Sequence, residues 1–263
     1  MPISNEYKCI FIHIPKACGT SIEYVLNMID DQTDVNFENR DAMYGWVARS
    51  STDLLDYGFL SPVLQHLTVR DLKKILPIDI FNQYFKFAFV RNPWGRLVSA
   101  YHFEKKAFPE YENLSFIQFL SNLSPFWKQE QCFFIVDENG EKNVDFVGRF
   151  EYINKDFKKL CKKMKISTLK LPLKNKIPHE HYSQYYTDET REMVADLFQN
   201  DIRMFGYKFK KANLIEEVKK KLNRYIIKRI DRQSHKYERI NHRRCKRIYP
   251  MYDLRIIGTD HFS

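Results

Sequence analysis

The chain has 263 residues, of which 44% are apolar and 15% aromatic. This composition suffices for a substantial hydrophobic core and excludes an intrinsically disordered protein. No apolar run approaches the roughly 18 to 20 residues of a membrane span, and the amino-terminal sequence MPISNEYK lacks the layout of a signal peptide. We therefore expect a cytoplasmic protein. Its five cysteines are scattered without a CxxC pair, which predicts reduced thiols and no structural metal.

The formal net charge of +10 is concentrated near the carboxyl terminus. Residues 212–263 contain 14 basic and 6 acidic residues, a net charge of +8, which leaves +2 for residues 1–211. We therefore divide the chain into a 1–211 domain and a 212–263 basic tail, which the spacing of Leu214, Val218 and Leu222 predicts to be helical. A solvated helical face is the simplest interpretation of the tail; attraction to a polyanion or an anionic membrane surface is the alternative.

The first unit of the chain is predicted to be a strand, a tight loop and a helix. Cys9–Ile12 is a short continuous apolar run, typical of a strand buried on both faces of a parallel sheet. Pro15–Gly19 interrupts the run. Thr20, followed by Glu23 three residues later, has the pattern of a capping box, which places a helix start here.

A second unit of the same kind follows. Phe85–Val90 predicts another buried strand, Arg91 and Asn92 turn the chain, and Pro93 suits the first turn of a helix. The remaining elements are predicted from their periodicity and caps: helices at 68–76 with a Thr68/Asp71 capping box, 116–123, 157–164 and 188–205 ending at Gly206, strands at 133–136 and 144–150, and a turn at 138–140. Alternating strands and helices indicate a three-layer α/β fold, P-loop-like, with a central parallel sheet flanked by helices.

The loops that follow the two buried strands carry groups suited to anions. In open α/β sheets, ligands bind beyond the carboxyl ends of the strands, where both loops would lie. The first loop offers Lys16, backbone N–H groups and hydroxyls at a helix start. The second offers Arg91 and, two helical turns later, Ser99. The GxxxxGK[ST] pattern is absent, which disfavours a nucleoside triphosphatase. Ordinary strand-to-helix turns with solvated cations are the alternative.

Two segments resemble known motifs. FIHIPKACGTSIEYVL and FKFAFVRNPWGRLVSAY are similar to the 5'-phosphosulfate loop and the 3'-phosphate motif of sulfotransferases that use 3'-phosphoadenosine 5'-phosphosulfate (PAPS). The segments VDFVGRFEYINKDFKKL and HYSQYYTDETREMVADLFQNDIRMFGY resemble the carbohydrate branch, sulfotransferase family 2, which includes heparan and chondroitin-type enzymes. The resemblance spans about residues 7 to 209.

This resemblance implies transfer of a sulfuryl group from PAPS to a carbohydrate hydroxyl, with adenosine 3',5'-bisphosphate as the spent product and no metal. It implies that Lys16 contacts the 5'-phosphosulfate and stabilises charge on the bridging oxygen, and that Arg91 and Ser99 hold the 3'-phosphate. Further donor contacts are expected from Ala17, Cys18, Gly19, Thr20, Ser21, Arg149 and, in a basic loop that could close over the donor, Lys176. Cys18 stands where many relatives have glycine, and Gly95 where the motif usually has an acidic residue.

A catalytic base is expected at His66, because related carbohydrate sulfotransferases carry a catalytic histidine in this region. From the residues alone, a histidine beside a helix cap more simply hydrogen-bonds the cap or the loop. His13 lies in the strand and is expected to be structural, whereas His102, His179 and His181 are further candidates for contacts with the substrate.

Two other functions are compatible with the sequence. The arginine-rich tail would suit a polyanion-binding or nucleic-acid-binding protein, although no helix-turn-helix, zinc-finger or RNA-stacking motif accompanies it. A small-molecule kinase with an unusual phosphate loop is the other alternative. Relative affinity for adenosine 3',5'-bisphosphate and ATP distinguishes the kinase from the sulfotransferase.

Overall fold

The computed structural model describes residues 3–28, 66–172 and 177–212. Lys176, with the rest of the predicted basic loop, lies outside these ranges, and so does the tail beyond residue 212. The division into a 1–211 domain and a basic helical tail therefore stays a prediction.

Within residues 3–28, 66–172 and 177–212, four strands form a mixed sheet in the order β1-β2-β3-β4. They are β1 (Ile3–Ser4), β2 (Cys9–Ile12), β3 (Phe85–Val90) and β4 (Phe146–Arg149). The three strands β2, β3 and β4 are parallel, while β1 pairs with β2 in the antiparallel direction. All residues of β2 are buried, as expected for a strand covered on both faces. The prediction of a parallel sheet is thus confirmed for β2, β3 and β4, which include the two strands that precede the Lys16 and Arg91 loops.

Helices flank this sheet and connect its strands. Within the described residues they are α1 (Gly19–Val25), α2 (Val69–Ile75), α3 (Ile78–Gln83), α4 (Pro93–Ala107), α5 (Phe116–Ser121), α6 (Pro125–Lys128), α7 (Gln131–Ile135), α8 (Ile153–Lys163), α9 (Asp188–Leu197) and α10 (Gln199–Phe205). None of the helices in the described ranges is long and apolar enough to cross a membrane.

In the part of the chain that the structure describes, two groups of buried apolar side chains hold the layers together. The first lies around the sheet and joins Phe11 and Phe87 to Ile22 of α1, Leu72 of α2 and Leu160 of α8. The second packs α4 against α5, α6 and α9, and contains the following side chains: Trp94, Leu97, Phe119, Trp127, Val194 and Phe198. The strand-to-helix loops are therefore anchored at both ends by apolar burial, which is the main stabilising term in folding.

Several helix ends follow the local signals in the sequence. The capping box of Thr68 and Asp71 is present at the start of α2. Asn92 caps α4 by accepting a hydrogen bond from the Gly95 N–H, and Pro93 occupies the first helical position. Gly206 ends α10 in the left-handed conformation, where glycine carries no Cβ penalty.

The predicted strand at 133–136 is wrong, because those residues belong mainly to helix α7. Only Val136 makes an isolated β-bridge, with Lys142. A short apolar run fits a buried strand and a buried helix equally well. Here the carboxylate of Asp201 accepts the backbone N–H groups of Gln131 and Cys132, which satisfies the first turn of the helix.

Two further predictions need correction. Helix α1 begins at Gly19 after Cys18, without a side-chain cap, so the capping box of Thr20 and Glu23 is wrong. The predicted helix 188–205 is two helices that meet at Phe198, whose side chain is fully buried. The other elements shift by a few residues: α5 ends at Ser121, α8 covers Ile153–Lys163 and β4 covers Phe146–Arg149.

Candidate active site

The two predicted loops meet at the carboxyl edge of the sheet. Ile12, at the end of β2, lies opposite Ala88, so the neighbouring strand β3 runs two residues further before Arg91. From there the guanidinium Nη1 of Arg91 donates a hydrogen bond to the backbone carbonyl of Lys16 at 3.2 Å. The structure thus brings together the two cations that the sequence singled out from segments 75 residues apart.

The first loop has an unusual backbone that explains its composition. Lys16 and Cys18 have φ angles of 64° and 76°, in the left-handed region. A non-glycine residue pays about 1 to 2 kcal/mol there, so glycine would be less strained than Cys18 at this position. Burial raises the pKa of the Cys18 thiol, so the thiol stays protonated at neutral pH.

A buried histidine and a buried glutamate support this loop from below. The Nδ1 atom of His13 is hydrogen-bonded to the carboxylate of Glu23 on α1, and both residues are buried. The imidazole ring of His13 also occupies the space beside Gly19, where a Cβ atom would lie 1.8 Å from Nε2. Position 19 therefore excludes any side chain. His13 was expected within the strand but directly follows β2, and its structural role stays a prediction that these contacts support.

Lys16 extends into a pocket of aromatic and charged groups on α4. Its Nζ atom lies 4.1 Å from the ring centroid of Phe103, a cation–π distance. Burial and the charge of Arg91 lower the pKa of Lys16 to about 7, and the carboxylate of Glu104 opposes this shift. Burial also raises the pKa of Glu104, whose Oε1 atom accepts a hydrogen bond from Trp127 Nε1 at 2.6 Å. The sequence reasoning had not identified Glu104 or Trp127.

The backbone of Arg91 is held in place by the side chain of Gln131. The Gln131 side chain pairs with it twice, because Arg91 N donates to Oε1 at 2.8 Å and Nε2 donates to the Arg91 carbonyl at 2.7 Å. The guanidinium lies over the ring of Phe150, 4.0 Å from its centroid. Burial lowers the pKa of Arg91 to about 10 and the carboxylate of Glu151 counteracts this, so Arg91 remains a cation at neutral pH.

A buried carboxylate completes the support of Arg91. Asp201 is fully buried and accepts three N–H groups, those of Gln131 N, Gln131 Nε2 and Cys132 N. Glu130, Cys132 and Asp201 have ligand atoms within 4.8 Å of one another, but these hydrogen bonds already explain the position of the Asp201 carboxylate. It acts on Arg91 through Gln131, a connection over 70 residues of chain that no local pattern reveals.

The charge of Arg96 is balanced by distant groups and not by the side chain at position 95, which is glycine. Arg96 is fully buried, and its Nη2 atom donates to the carbonyls of Trp127 at 3.3 Å and Gln129 at 2.6 Å. The carboxylate of Asp201 offsets part of its desolvation. A Cβ atom on Gly95 would lie 3.7 Å from Arg91 Nε, so an acidic side chain at position 95 would approach Arg91 instead.

His66 lies beside the first loop. Its Nδ1 atom is 2.8 Å from the backbone carbonyl of His13. Since a carbonyl only accepts hydrogen bonds, Nδ1 carries the proton, and Nε2 of the neutral ring keeps a lone pair. Burial, with the nearby histidine His13, holds the pKa of His66 well below its usual value. The imidazole is therefore neutral at physiological pH, as a proton acceptor must be.

The other predicted site residues are less closely connected to this centre. Ser99 is half-buried on α4. The guanidinium of Arg149, at the end of β4, donates to the carbonyl of Phe205 and lies over Tyr207. The ring of His102 stacks on His179, with centroids 5.1 Å apart. The remaining donor-loop residues are placed as follows: Ala17, Gly19 and Ser21 are buried, and Thr20 is half-buried.

Fold and site together define an α/β protein in which two half-buried basic residues meet at the carboxyl edge of a parallel sheet, with a neutral histidine alongside. A family model described as the sulfotransferase family matches residues 1–208 of the chain. The chain belongs to the sulfotransferase family, and it is a transferase of sulfuryl groups by that membership.

A similar curated protein comes from the archaeon Archaeoglobus fulgidus and is described as an uncharacterized protein. It is 34% identical over 89 residues, which cover 32% of this chain and 71% of that protein. No solved structure matches the chain significantly.

Proposed function

We propose that the protein is a PAPS-dependent O-sulfotransferase that acts on a hydroxyl of a carbohydrate. The contact between Arg91 and the Lys16 carbonyl carries the proposal, because it brings basic residues from the loops after two strands next to each other. A donor with phosphate groups at both ends of its nucleoside suits such a pair. The carbohydrate acceptor is supported by the likeness of the later segments to the carbohydrate branch.

The surroundings of both cations favour an anionic ligand. Among the described residues, neither Lys16 nor Arg91 forms an ion pair with a carboxylate; their close contacts are a carbonyl and two aromatic rings. Burial lowers the pKa of both side chains. Cations removed from water without a bonded anion are costly, and phosphate oxygens at these positions would compensate for that cost.

Each residue of the site has a separate role in the proposed transfer. PAPS supplies an activated sulfuryl group on a phosphate leaving group. His66 accepts the proton of the acceptor hydroxyl at Nε2 while that oxygen bonds to sulfur and the bond from sulfur to the bridging phosphate oxygen breaks. The ammonium of Lys16 stabilises the negative charge that develops on the bridging phosphate oxygen. Arg91 and Ser99 hold the 3'-phosphate. The product nucleotide is adenosine 3',5'-bisphosphate.

Titration calorimetry tests the donor specificity. The wild-type protein is expected to bind adenosine 3',5'-bisphosphate about 10 to 150 times more tightly than 5'-AMP or ATP. The reason is that a charge-assisted bond from Arg91 to the 3'-phosphate is worth about 1.5 to 3 kcal/mol. In Arg91→Ala the preference over 5'-AMP should disappear, because the group that recognises the 3'-phosphate is gone.

Arg70→Ala is the matched control for this experiment. Arg70 also lies over an aromatic ring, that of Phe133, at 4.2 Å, but it is on α2, outside the site. The Arg70→Ala protein should prefer adenosine 3',5'-bisphosphate over 5'-AMP to the same extent as the wild type. Equal affinities of the wild-type protein for adenosine 3',5'-bisphosphate and 5'-AMP, or a preference for ATP, would contradict the proposal.

Donor affinity should also depend on pH through Lys16. Its pKa of about 7 in the free protein means that the ammonium is increasingly lost above pH 7, whereas an anionic ligand requires it. Between pH 7.5 and 9, the dissociation constant for adenosine 3',5'-bisphosphate should rise by up to about tenfold per pH unit. Binding at pH 8 should take up close to one proton, measured from heats in buffers of different ionisation enthalpy.

Lys16→Arg separates this effect from other titrations, because a guanidinium stays protonated throughout the range. The variant should show a flat affinity profile and no proton uptake at pH 8. The same slope in Lys16→Arg as in the wild type would assign the pH dependence to another group.

A further inference from the structure

Helix α6 presents an aromatic side chain next to the proposed catalytic base. The ring of Phe126 lies 5.5 Å from that of His66, centroid to centroid. Phe126 is 40% exposed, although it is a large apolar residue in a segment otherwise packed on the second core cluster. Nothing in the donor chemistry uses this side chain, and its position beside His66 distinguishes it from other exposed apolar residues such as Phe133.

The segment that carries Phe126 also reaches the lysine side of the site. The neighbouring residue Trp127 is buried and donates through Nε1 to Glu104 at 2.6 Å. Its ring lies 6.4 Å from that of Phe103, over which the Lys16 ammonium sits at 4.1 Å. Two consecutive residues thus connect the candidate base with the lysine proposed to face the bridging oxygen: Phe126 contacts His66 with an exposed ring, and Trp127 is buried against the groups around Lys16.

The backbone of this segment is fixed from the core side. The fully buried guanidinium of Arg96 donates to the carbonyls of Trp127 and Gln129, which follow Phe126 in the chain. The N–H of Trp127 bonds to the carbonyl of Ser124, closing the turn. A ligand surface positioned in this way loses little conformational entropy on binding.

We propose that Phe126 is the stacking platform of the acceptor site, and that its occupant is a pyranose ring. This rests on the proposed function, and it adds the surface that receives the acceptor. One face of a pyranose is lined by C–H groups, which pack on the exposed phenyl ring. Hydroxyls at the ring edge then reach two hydrogen-bond acceptors, Nε2 of His66 and the carboxylate of Glu104.

The pattern of exposure and polarity favours a pyranose over a phenol. A planar phenol gains most from a slot that covers both of its faces, whereas Phe126 already packs against His66 and Trp127 and leaves 40% of its surface exposed. Within the described residues, Oε1 of Glu104 is bonded to Trp127 and no partner is hydrogen-bonded to Oε2. A ring with several hydroxyls satisfies such an oxygen and still presents another hydroxyl to His66.

Saturation-transfer NMR and calorimetry with defined probes test the inference. The probes are the methyl β-pyranosides of glucose, galactose and N-acetylglucosamine, with 4-methylphenol as the phenolic alternative, each with and without adenosine 3',5'-bisphosphate. At least one pyranoside should bind the wild-type protein through its ring C–H protons. Phe126→Ala should weaken that binding by about tenfold, Phe126→Trp should preserve it, and affinity for the bisphosphate should stay unchanged.

Phe133→Ala is the matched control, because Phe133 is 41% exposed on the adjacent helix α7 and lies against Arg70, not His66. Pyranoside binding that is absent, or equal in Phe126→Ala and Phe133→Ala, overturns the acceptor site. Phe126-dependent binding of 4-methylphenol alone overturns the pyranose assignment. Failure of the wild type to bind the bisphosphate refutes the donor proposal instead, and the probes without nucleotide still decide the role of Phe126.

Discussion

Replacing Lys16 with alanine is expected to lower sulfuryl transfer by about 100- to 1,000-fold, the usual cost of removing one preorganised group from a developing charge. The ammonium lies at the convergence of the two loops, 4.1 Å from the Phe103 ring centroid, with Arg91 bonded to the carbonyl of the same residue. Its stabilisation grows as charge accumulates on the bridging oxygen, so the rate should fall more than the donor affinity.

Single-turnover transfer from radiolabelled PAPS measures the effect, with an acceptor selected from a panel of extracted glycans. Calorimetry with adenosine 3',5'-bisphosphate gives the binding part separately, for which a loss of about 10- to 150-fold is expected. Lys105→Ala is a suitable control, since Lys105 is on α4 and also lies over an aromatic ring, that of Tyr101. A Lys16→Ala protein that transfers as fast as Lys105→Ala would remove Lys16 from the mechanism.

Replacing His66 with alanine is expected to lower turnover by about 100- to 10,000-fold and to leave the affinity for adenosine 3',5'-bisphosphate unchanged. This is the range typical of a lost general base. The Nδ1–H bond to the His13 carbonyl orients the ring and keeps the lone pair on Nε2. Because the pKa of His66 is well below its usual value, its protonation should not limit the rate between pH 6 and 8.

His66→Asn distinguishes a base from a structural residue. The asparagine amide can still donate a hydrogen bond to the His13 carbonyl, but it has no basic nitrogen. If His66 is the base, His66→Asn is as slow as His66→Ala in single-turnover assays, although His66→Asn keeps the bond to the His13 carbonyl and should be the more thermally stable of the two variants. Recovery of activity in His66→Asn would show that His66 only supports the loop.

Local patterns predicted the parts of the site that depend on neighbours in sequence. Buried apolar runs identified strands β2 and β3, and parallel strands of one sheet must place their following loops at one edge. Asn92 and Pro93 marked the start of α4, and Thr68 with Asp71 marked that of α2, because caps act over three or four residues. These signals sufficed to bring Lys16 and Arg91 to the same edge.

The same local rules failed where a distant partner changed the outcome. Thr20 and Glu23 match a capping box, yet Glu23 is bound by His13, the residue that follows strand β2. Residues 133–136 match a strand, yet Asp201 satisfies the first N–H groups of a helix there. In both places a buried side chain provides a hydrogen bond that short-range periodicity does not encode.

The amino-acid sequence by itself determined the two strand–loop–helix units, the cations at their ends and the likeness to the sulfotransferase family. Only the tertiary structure decided which groups surround those cations. Glu104, Trp127 and Phe126 become neighbours of Lys16 and His66 because α4 and α6 pack together. The physical reason is that burial strengthens electrostatic contacts and shifts the pKa values of Lys16, Glu104 and His66. Burial in turn depends on the packing of segments that are far apart in the chain.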